Sequence, residues 1–428
     1  MTTFSTMAPM PEGDRMLSPT RRTPNLLPAR GVNRRNLMLG GAACTRQRSL
    51  ARQGHSPLKP EAAATGVAPL TSLLGMIPAS YLDLVESNGF DWQYDDIARQ
   101  FASLGLRHGS DGPDFDNEPV ANATVALSHA SNVFGYARVE ELTTAIGFQP
   151  YGMDQCLAVG EPGRRLVLFR GEFVPDSLIN AWAAAGHEPH ETASSIPAWT
   201  LGTGGVLNPD HPIQSKLISE FDNVAIIGDV LIYSSFMELL ELALSFTGSG
   251  EASIAEHPVY ESLIAALPET TVSAVGVTLP QLDITEGYYN EEQVEAIEST
   301  VAEAIDQTGS FPSVTGLVTA VKEGATIVDF DWEPEGNRTT EARDDAGTAF
   351  IRIGTPSEVD AARAVEVTVE RWETFDTLVT KVPYKDLATI EARSTHGKVA
   401  ALDLRQVQHP RLWLELFIYR DVLPFAAG

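Results

Sequence analysis

Val224-Ala225-Ile226-Ile227-Gly228-Asp229-Val230-Leu231-Ile232-Tyr233 is the longest apolar run in the chain, and its interruption decides how it folds. Two four-residue apolar blocks flank Gly228-Asp229, a glycine-first pair suited to a two-residue turn. The run therefore predicts a tight antiparallel hairpin. Working outward, Phe236–Phe246 carries only Glu238, Glu241 and Ser245 as polar residues, the narrow stripe of a mostly buried helix. Upstream, Leu166–Phe169 reads as a strand. Asp176 opens a helix with Leu178, Ile179 and Trp182 on its inner face, ending at Gly186.

The C-terminal half repeats this grammar. Strands are predicted at Thr271–Leu279, Thr348–Ile353 and Lys398–Leu404. Val314–Val321 and Ala325–Trp332 flank Lys322-Glu323-Gly324 as a second hairpin. Asn290 with Gln293 caps a helix whose face is Val294, Ile297, Val301 and Ile305, stopping at Gly309. Thr355-Pro356-Ser357-Glu358 predicts another start, with Thr355 as N-cap, and Val359, Ala362, Val365, Val369 and Trp372 follow at helical spacing. Helices separated by hairpins imply an α+β fold, antiparallel sheets with helices packed on one face, and a ferredoxin-like second half. The expected organisation is a signal segment and disordered basic leader over residues 1–65, an α+β domain over 66–248, and a ferredoxin-like α+β domain over 251–428. The linker is Thr247-Gly248-Ser249-Gly250-Glu251.

Charge is divided unevenly along the chain. The first 60 residues hold ten Lys/Arg against two acids, a net of about +8, in a Pro-rich stretch without hydrophobic periodicity. The remainder holds 20 basic and 55 acidic residues, roughly −35. So acidic a body repels nucleic acid and anionic lipid headgroups. No run of about 18 apolar residues occurs, so no transmembrane span is expected. There are two cysteines, Cys44 and Cys156. With Cys44 removed or acylated, Cys156 has no disulfide partner, and a Cys-based zinc site is excluded.

Within the leader, Arg34-Arg35 precede the short apolar run Leu37–Ala43 and then Cys44. This segment resembles the twin-arginine export signals of bacterial proteins and, more loosely, lipoprotein signals that end in an acylated cysteine. The resemblance implies export directed by Arg34 and Arg35, and a lipid anchor on Cys44 at the membrane surface. Gly171-Glu172-Phe173, Gly186-His187, Asp229–Tyr233, Ser253–Pro258 and Arg420-Asp421 look like exported bacterial proteins of unknown function. That likeness bears on architecture and location only.

Four stretches carry ligand-like chemistry, each with a plainer account. His187-Glu188-Pro189-His190-Glu191 could offer two imidazoles and two carboxylates to Zn²⁺, although Pro189 and the three-residue spacing depart from H-E-x-x-H, and a polar connecting loop fits as well. Asp114, Asp116 and Glu118 supply hard oxygens suited to Ca²⁺, or merely a solvated acidic loop. Asp329-Phe330-Asp331-Trp332-Glu333 superficially resembles the first motif of haloacid-dehalogenase-type phosphatases; an edge strand with guarding charges is the plainer account. Residues 381–420 are locally basic, and Arg405, His409, Arg411 and Trp413 suggest a docking surface for an acidic partner.

No cofactor is implied beyond these Ca²⁺ and Zn²⁺ sites. The chain carries no G-x-S-x-G elbow, Walker A loop, G-x-G-x-x-G fingerprint or C-x-x-C pair. The expectation is an exported, lipid-anchored protein of the cell envelope or exterior, with a binding or structural role toward an envelope ligand or protein and no identifiable catalysis. Two alternatives stand beside it: a metal-assisted hydrolase, and a cytoplasmic protein with a disordered basic tail.

Overall fold

The computed structural model describes residues 67–84, 92–106, 127, 140–161, 164–202, 207–217, 220–246, 249–277, 291–325, 347–377, 382–407 and 410–418. The chain separates into a unit of residues 1–61 and a unit of residues 62–428, and every described residue belongs to the second. Its strands are β1 (Trp92–Asp96), β2 (Met153–Glu161), β3 (Arg164–Gly171), β4 (Glu188–His190), β5 (Ala198–Thr200) and β6 (Asn223–Ile227). They continue with β7 (Val230–Ser234), β8 (Thr271–Val277), β9 (Gly316–Lys322), β10 (Gly347–Gly354), β11 (Thr389–His396) and β12 (Val399–Val407). The helices are α1 (Ala68–Leu74), α2 (Tyr81–Leu84), α3 (Ile97–Ser103), α4 (Glu140–Ile146), α5 (Pro175–Ala184) and α6 (Gln214–Leu217). After them come α7 (Met237–Phe246), α8 (Pro258–Ala265), α9 (Glu291–Thr308), α10 (Glu358–Thr374), α11 (Tyr384–Leu387) and α12 (Pro410–Ile418).

The fold is α+β, built on one open antiparallel sheet of twelve strands in the order β11-β12-β10-β9-β8-β1-β2-β3-β7-β6-β5-β4. The hairpin at Gly228-Asp229 forms as expected: Ile227 pairs with Val230, and Gly228 takes φ +61°. Separate sheets do not. β1 pairs with β2 on one side and β8 on the other, so strands from both halves share one sheet.

Helices cover both faces of that sheet, not one. Leu70, Leu73 and Leu74 of α1, Leu239, Leu240 and Leu244 of α7, and Tyr260 and Leu263 of α8 pack with Leu166, Leu168, Ile232, Val318 and Phe350. The opposite face is covered in two parts. α3, α4, α5 and α6 lie over Val167, Phe169, Leu231 and Tyr233, while α10, α11 and α12 lie over Leu317, Ile351, Ile353 and Leu402. The reason is visible in the strands. Leu166-Val167-Leu168-Phe169 and Val230-Leu231-Ile232-Tyr233 do not alternate with polar residues, so each face demands its own cover.

The ferredoxin-like order does not appear. β8 and β9 are adjacent and antiparallel, Val277 beside Leu317, so the chain returns through α9 to the end of the strand it left. Both edges of β9 are taken by β8 and β10; of its expected hairpin partner Ala325–Trp332, residues 326–332 lie outside the described residues. A single split β-α-β unit does occur: β12 lies between β10 and β11 and is antiparallel to both. The start of α10 also shifts. Ser357, not Thr355, is the N-cap and accepts from Asp360 N, while the Thr355 hydroxyl donates to the carbonyls of Ser357 and Lys398.

The join at β1 is close-packed. All five of its residues are buried, and a Cβ on Gly276 would run into the Trp92 indole lying against it. Ser273 Oγ donates to Asp95 Oδ1 at 2.7 Å, and Asp96 caps α3 by accepting from Arg99 N. Gly276→Ala should therefore destabilise the protein by about 1–3 kcal/mol through overpacking. Denaturant titration checks this, and a loss below about 0.5 kcal/mol would show that the Trp92 ring is free to move aside.

Candidate functional site

Where α10 ends, the chain turns through α11 and enters β11, the outermost strand of the sheet. Trp372 fixes this corner. Its Nε1 donates to the Ala388 carbonyl at 3.0 Å, and its ring lies 5.6 Å from that of Tyr384 and 5.9 Å from that of Trp413. Between α10, α11 and the start of β11 lies a groove of about 410 Å³. Val369, Trp372, Ala388 and Ile390 supply its apolar lining, and Glu373, Lys385, Glu391 and Arg393 its charges. None of these four charged side chains makes an ion pair among the described residues.

Backbone irregularities converge on the same corner. β11 is bulged between Ile390 and Ala392, and the β10–β12 register shifts between Gly347 and Ala349. Gln406, next to Arg405 on β12, takes φ +58°, a conformation costly for a residue with a Cβ. Its Oε1 accepts from Thr389 Oγ1 at 3.2 Å. Bulges and left-handed non-glycine residues cluster at sheet edges and functional sites.

Around this corner the buried cations serve structure. Arg371 is fully buried, donating to Thr308 Oγ1 and the Gly309 carbonyl. Arg363 donates to the Thr308 carbonyl, so two cations sit at the carbonyl end of α9. Burial, with Arg363 nearby, lowers the Arg371 pKa to about 10, so it stays charged at neutral pH. Arg352 donates to the carbonyls of Ala266 and Leu402 and to Asp403 Oδ1 at 2.9 Å.

The residues singled out from sequence scatter. His187 is buried, its Nε2 hydrogen-bonded to the Phe221 carbonyl at 3.0 Å. His190 reaches Glu241 of α7 at 3.2 Å, while Glu188 and Glu191 point to solvent. His187, just before the short strand β4, and His190, at its end, thus engage different neighbours. Among the described residues no group of three or more His, Cys, Asp or Glu could hold a metal ion. Trp413, expected at a docking surface, is buried, with Nε1 donating to Thr319 Oγ1 at 2.8 Å. Arg405 is exposed on β12, paired in register with Thr389 at the end of the groove. Arg411 lies in α12. Arg34, Arg35, Cys44, Asp114, Asp116, Glu118, Asp329–Glu333 and His409 lie outside the described residues.

Nucleophiles are equally committed. Cys156 is free and fully buried; burial, then Asp95, pushes its thiol pKa well up, which makes it unreactive. Arg165 and Glu220 form a buried ion pair at 2.6 Å, and burial raises the nearby Tyr233 phenol. The hydroxyl–carboxylate hydrogen bonds among the described residues are helix caps, as at Ser253–Glu256 and Ser357–Asp360, or sealed in the core, as at Ser273–Asp95 and Tyr94–Asp96. No catalytic site is evident among the described residues.

No family model matches the chain, and no curated protein matches it. Among solved structures, "Structure of crystal form I of TP0453" is similar at a TM-score of 0.31 and 8% identity, covering 78% of this chain and 96% of that one. A TM-score of that size marks a loose likeness of arrangement and carries no function across.

Two measurements follow from this geometry. Burial lowers the His187 pKa, outweighing the hydrogen bonds with Phe221 and Trp182, and His211 lowers it further. The imidazole is held neutral, so its contribution to stability is present above its ordinary pKa and lost as pH falls through the depressed one. Wild-type Tm should drop between about pH 7 and pH 5, and His187→Gln should flatten that drop. Separately, Gln406→Gly should stabilise the fold by about 0.5–1 kcal/mol, whereas Gln406→Val should destabilise it by about 1–2 kcal/mol. Equilibrium denaturation resolves the order of the three proteins.

Proposed function

We propose that the chain is exported to the cell envelope and acts there by binding, using the groove between α10, α11 and β11. The observation that carries the binding reading is that groove: an apolar lining, four charges without ion pairs among the described residues, and an exposed strand beside which no described strand lies. Binding proteins need such a preformed concavity with a few convergent polar groups, and need no nucleophile. The arginine pair Arg34-Arg35 and the cationic leader ahead of an anionic body support the location. No described helix is long and apolar enough to cross a membrane. Attachment at the membrane surface would then come from acylation of Cys44.

The location is tested in cells. An Arg34→Lys/Arg35→Lys double variant should accumulate in the cytosol unprocessed, while the wild-type chain is recovered outside the inner membrane. Equal export of both would defeat the twin-arginine reading. In the same fractions, Cys44→Ser should move the exported protein from membrane to soluble material, and unchanged partitioning would remove the lipid anchor from the picture.

A further inference from the structure

The two edges of the sheet are built differently. β4 is three residues long and has Pro189 at its centre, which lacks an N–H, so this edge offers little to a further strand. β11 is eight residues long, contains no proline, and seven of its residues are exposed. From Ala392 to His396 it runs in unbroken register with Asp403 to Val399 on its inner side. Among the described residues no strand lies beside its outer side. The groove opens beside the first part of this edge, and a free strand edge flanked by a helix is the arrangement that accepts extended peptides by strand addition.

We propose that the groove is a strand-addition site: an extended segment of another polypeptide pairs antiparallel with β11 and sets alternate side chains toward α10. This rests on the reading of the groove as a binding site and adds the class and polarity of its ligand. Every neighbouring pair in the sheet is antiparallel, so an antiparallel guest continues its pattern. Running opposite to β11, the guest meets Arg393 first, then Glu391, then the apolar lining around Ile390 and Trp372. With Glu391 standing out at the bulge between them, Arg393, Glu391 and Ile390 all line the groove, so complementarity selects an acid, a base and an aliphatic residue in that order along the guest. The occupant is a foreign segment rather than a second copy, because two chains each of net charge −27 repel as they approach.

The test uses the purified full-length chain and two fluorescein-labelled blocked heptapeptides, Thr-Glu-Thr-Lys-Thr-Leu-Thr and its charge-transposed form Thr-Lys-Thr-Glu-Thr-Leu-Thr. Anisotropy should show the first binding about tenfold or more tightly than the second, and Glu391→Arg/Arg393→Glu should reverse the preference. Hydrogen exchange should slow across residues 389–396 when the favoured peptide is bound. Equal binding of both peptides, or binding without slowed exchange in β11, overturns strand addition. If both peptides fail but a mixed peptide pool slows exchange over residues 384–393, strand addition falls and the groove remains a binding site. If the pool also leaves that segment unchanged, the binding reading falls with it. Slowing that grows with protein concentration alone would assign the edge to a second copy and overturn the foreign occupant.

Discussion

The sheet depends on the seating of five residues. Among the described residues Trp92–Asp96 alone joins the two halves of the sheet, hydrogen-bonded to β2 on one side and β8 on the other. If it leaves, two sheets with raw inner edges remain, each exposing unpaired backbone groups that water does not reach in the folded state. The local chemistry holds it from several directions. Trp92 packs over Gly276, where any side chain would displace it, and Asp95 receives the Ser273 hydroxyl. α3 then carries the bond across the join: Arg99 reaches Glu323 and the Glu269 carbonyl, while Gln100 pairs with the Ala325 carbonyl and Gly324 N. Side chains of α3, which follows β1 directly, thus clamp the turn after β9, and the two halves cannot separate without breaking both backbone and side-chain contacts.

Burial on both faces has a chemical consequence. A sheet covered on both sides leaves few places where a polar side chain is both held and reachable. Buried cations of the structure are spent on internal partners: Arg165 on Glu220, Arg352 on three carbonyls and Asp403, Arg371 on the end of α9. Removing one member of such a set leaves an uncompensated charge in a dry interior, which is why these pairs behave as fixed scaffolding rather than as exchangeable sites.

Elements with a strong period were legible in the sequence. The β6–β7 hairpin, α7 and α9 follow from turn residues and apolar spacing that tertiary context does not contradict. β1 was not legible, because Trp-Gln-Tyr-Asp-Asp reads as polar. Its burial is made tolerable by partners the local pattern does not announce, among them Ser273, Gln155 and the N-cap of α3. The N-cap of α10 slipped by two residues, since Thr355 and Ser357 both offer a hydroxyl and only the fold reveals that Thr355 is engaged by Lys398. The second face of helices was present in the unbroken apolar runs of β3 and β7, a signal that outweighs hairpin order when choosing between one covered face and two. For the candidate site, the locally basic segment over residues 381–420 overlaps the groove in sequence without containing its centre. Yet Trp413 belongs to the core, and the groove turns instead on Trp372 and on β11, whose Thr389–His396 sequence has no apolar alternation to announce a strand.

An eight-residue edge with no described strand beside it is a hazard for any folded protein, since it templates pairing with whatever extended chain arrives. Two features set what can use this one. The bulge at Ile390–Ala392 and the charged pair Glu391 and Arg393 spoil a flat, generic fit, so an arbitrary apolar strand gains few hydrogen bonds and strands its own uncharged residues against ions. The long-range field of the acidic chain acts on a different scale, weakening contact between copies over a Debye length of roughly 10 Å while leaving short-range pairing to a complementary guest intact. Short-range pattern and long-range repulsion therefore sort partners by different properties, order of charges in the first case and net charge in the second. An edge governed by both can stay open without becoming a nucleus for self-association, and salt would erode the second safeguard before the first.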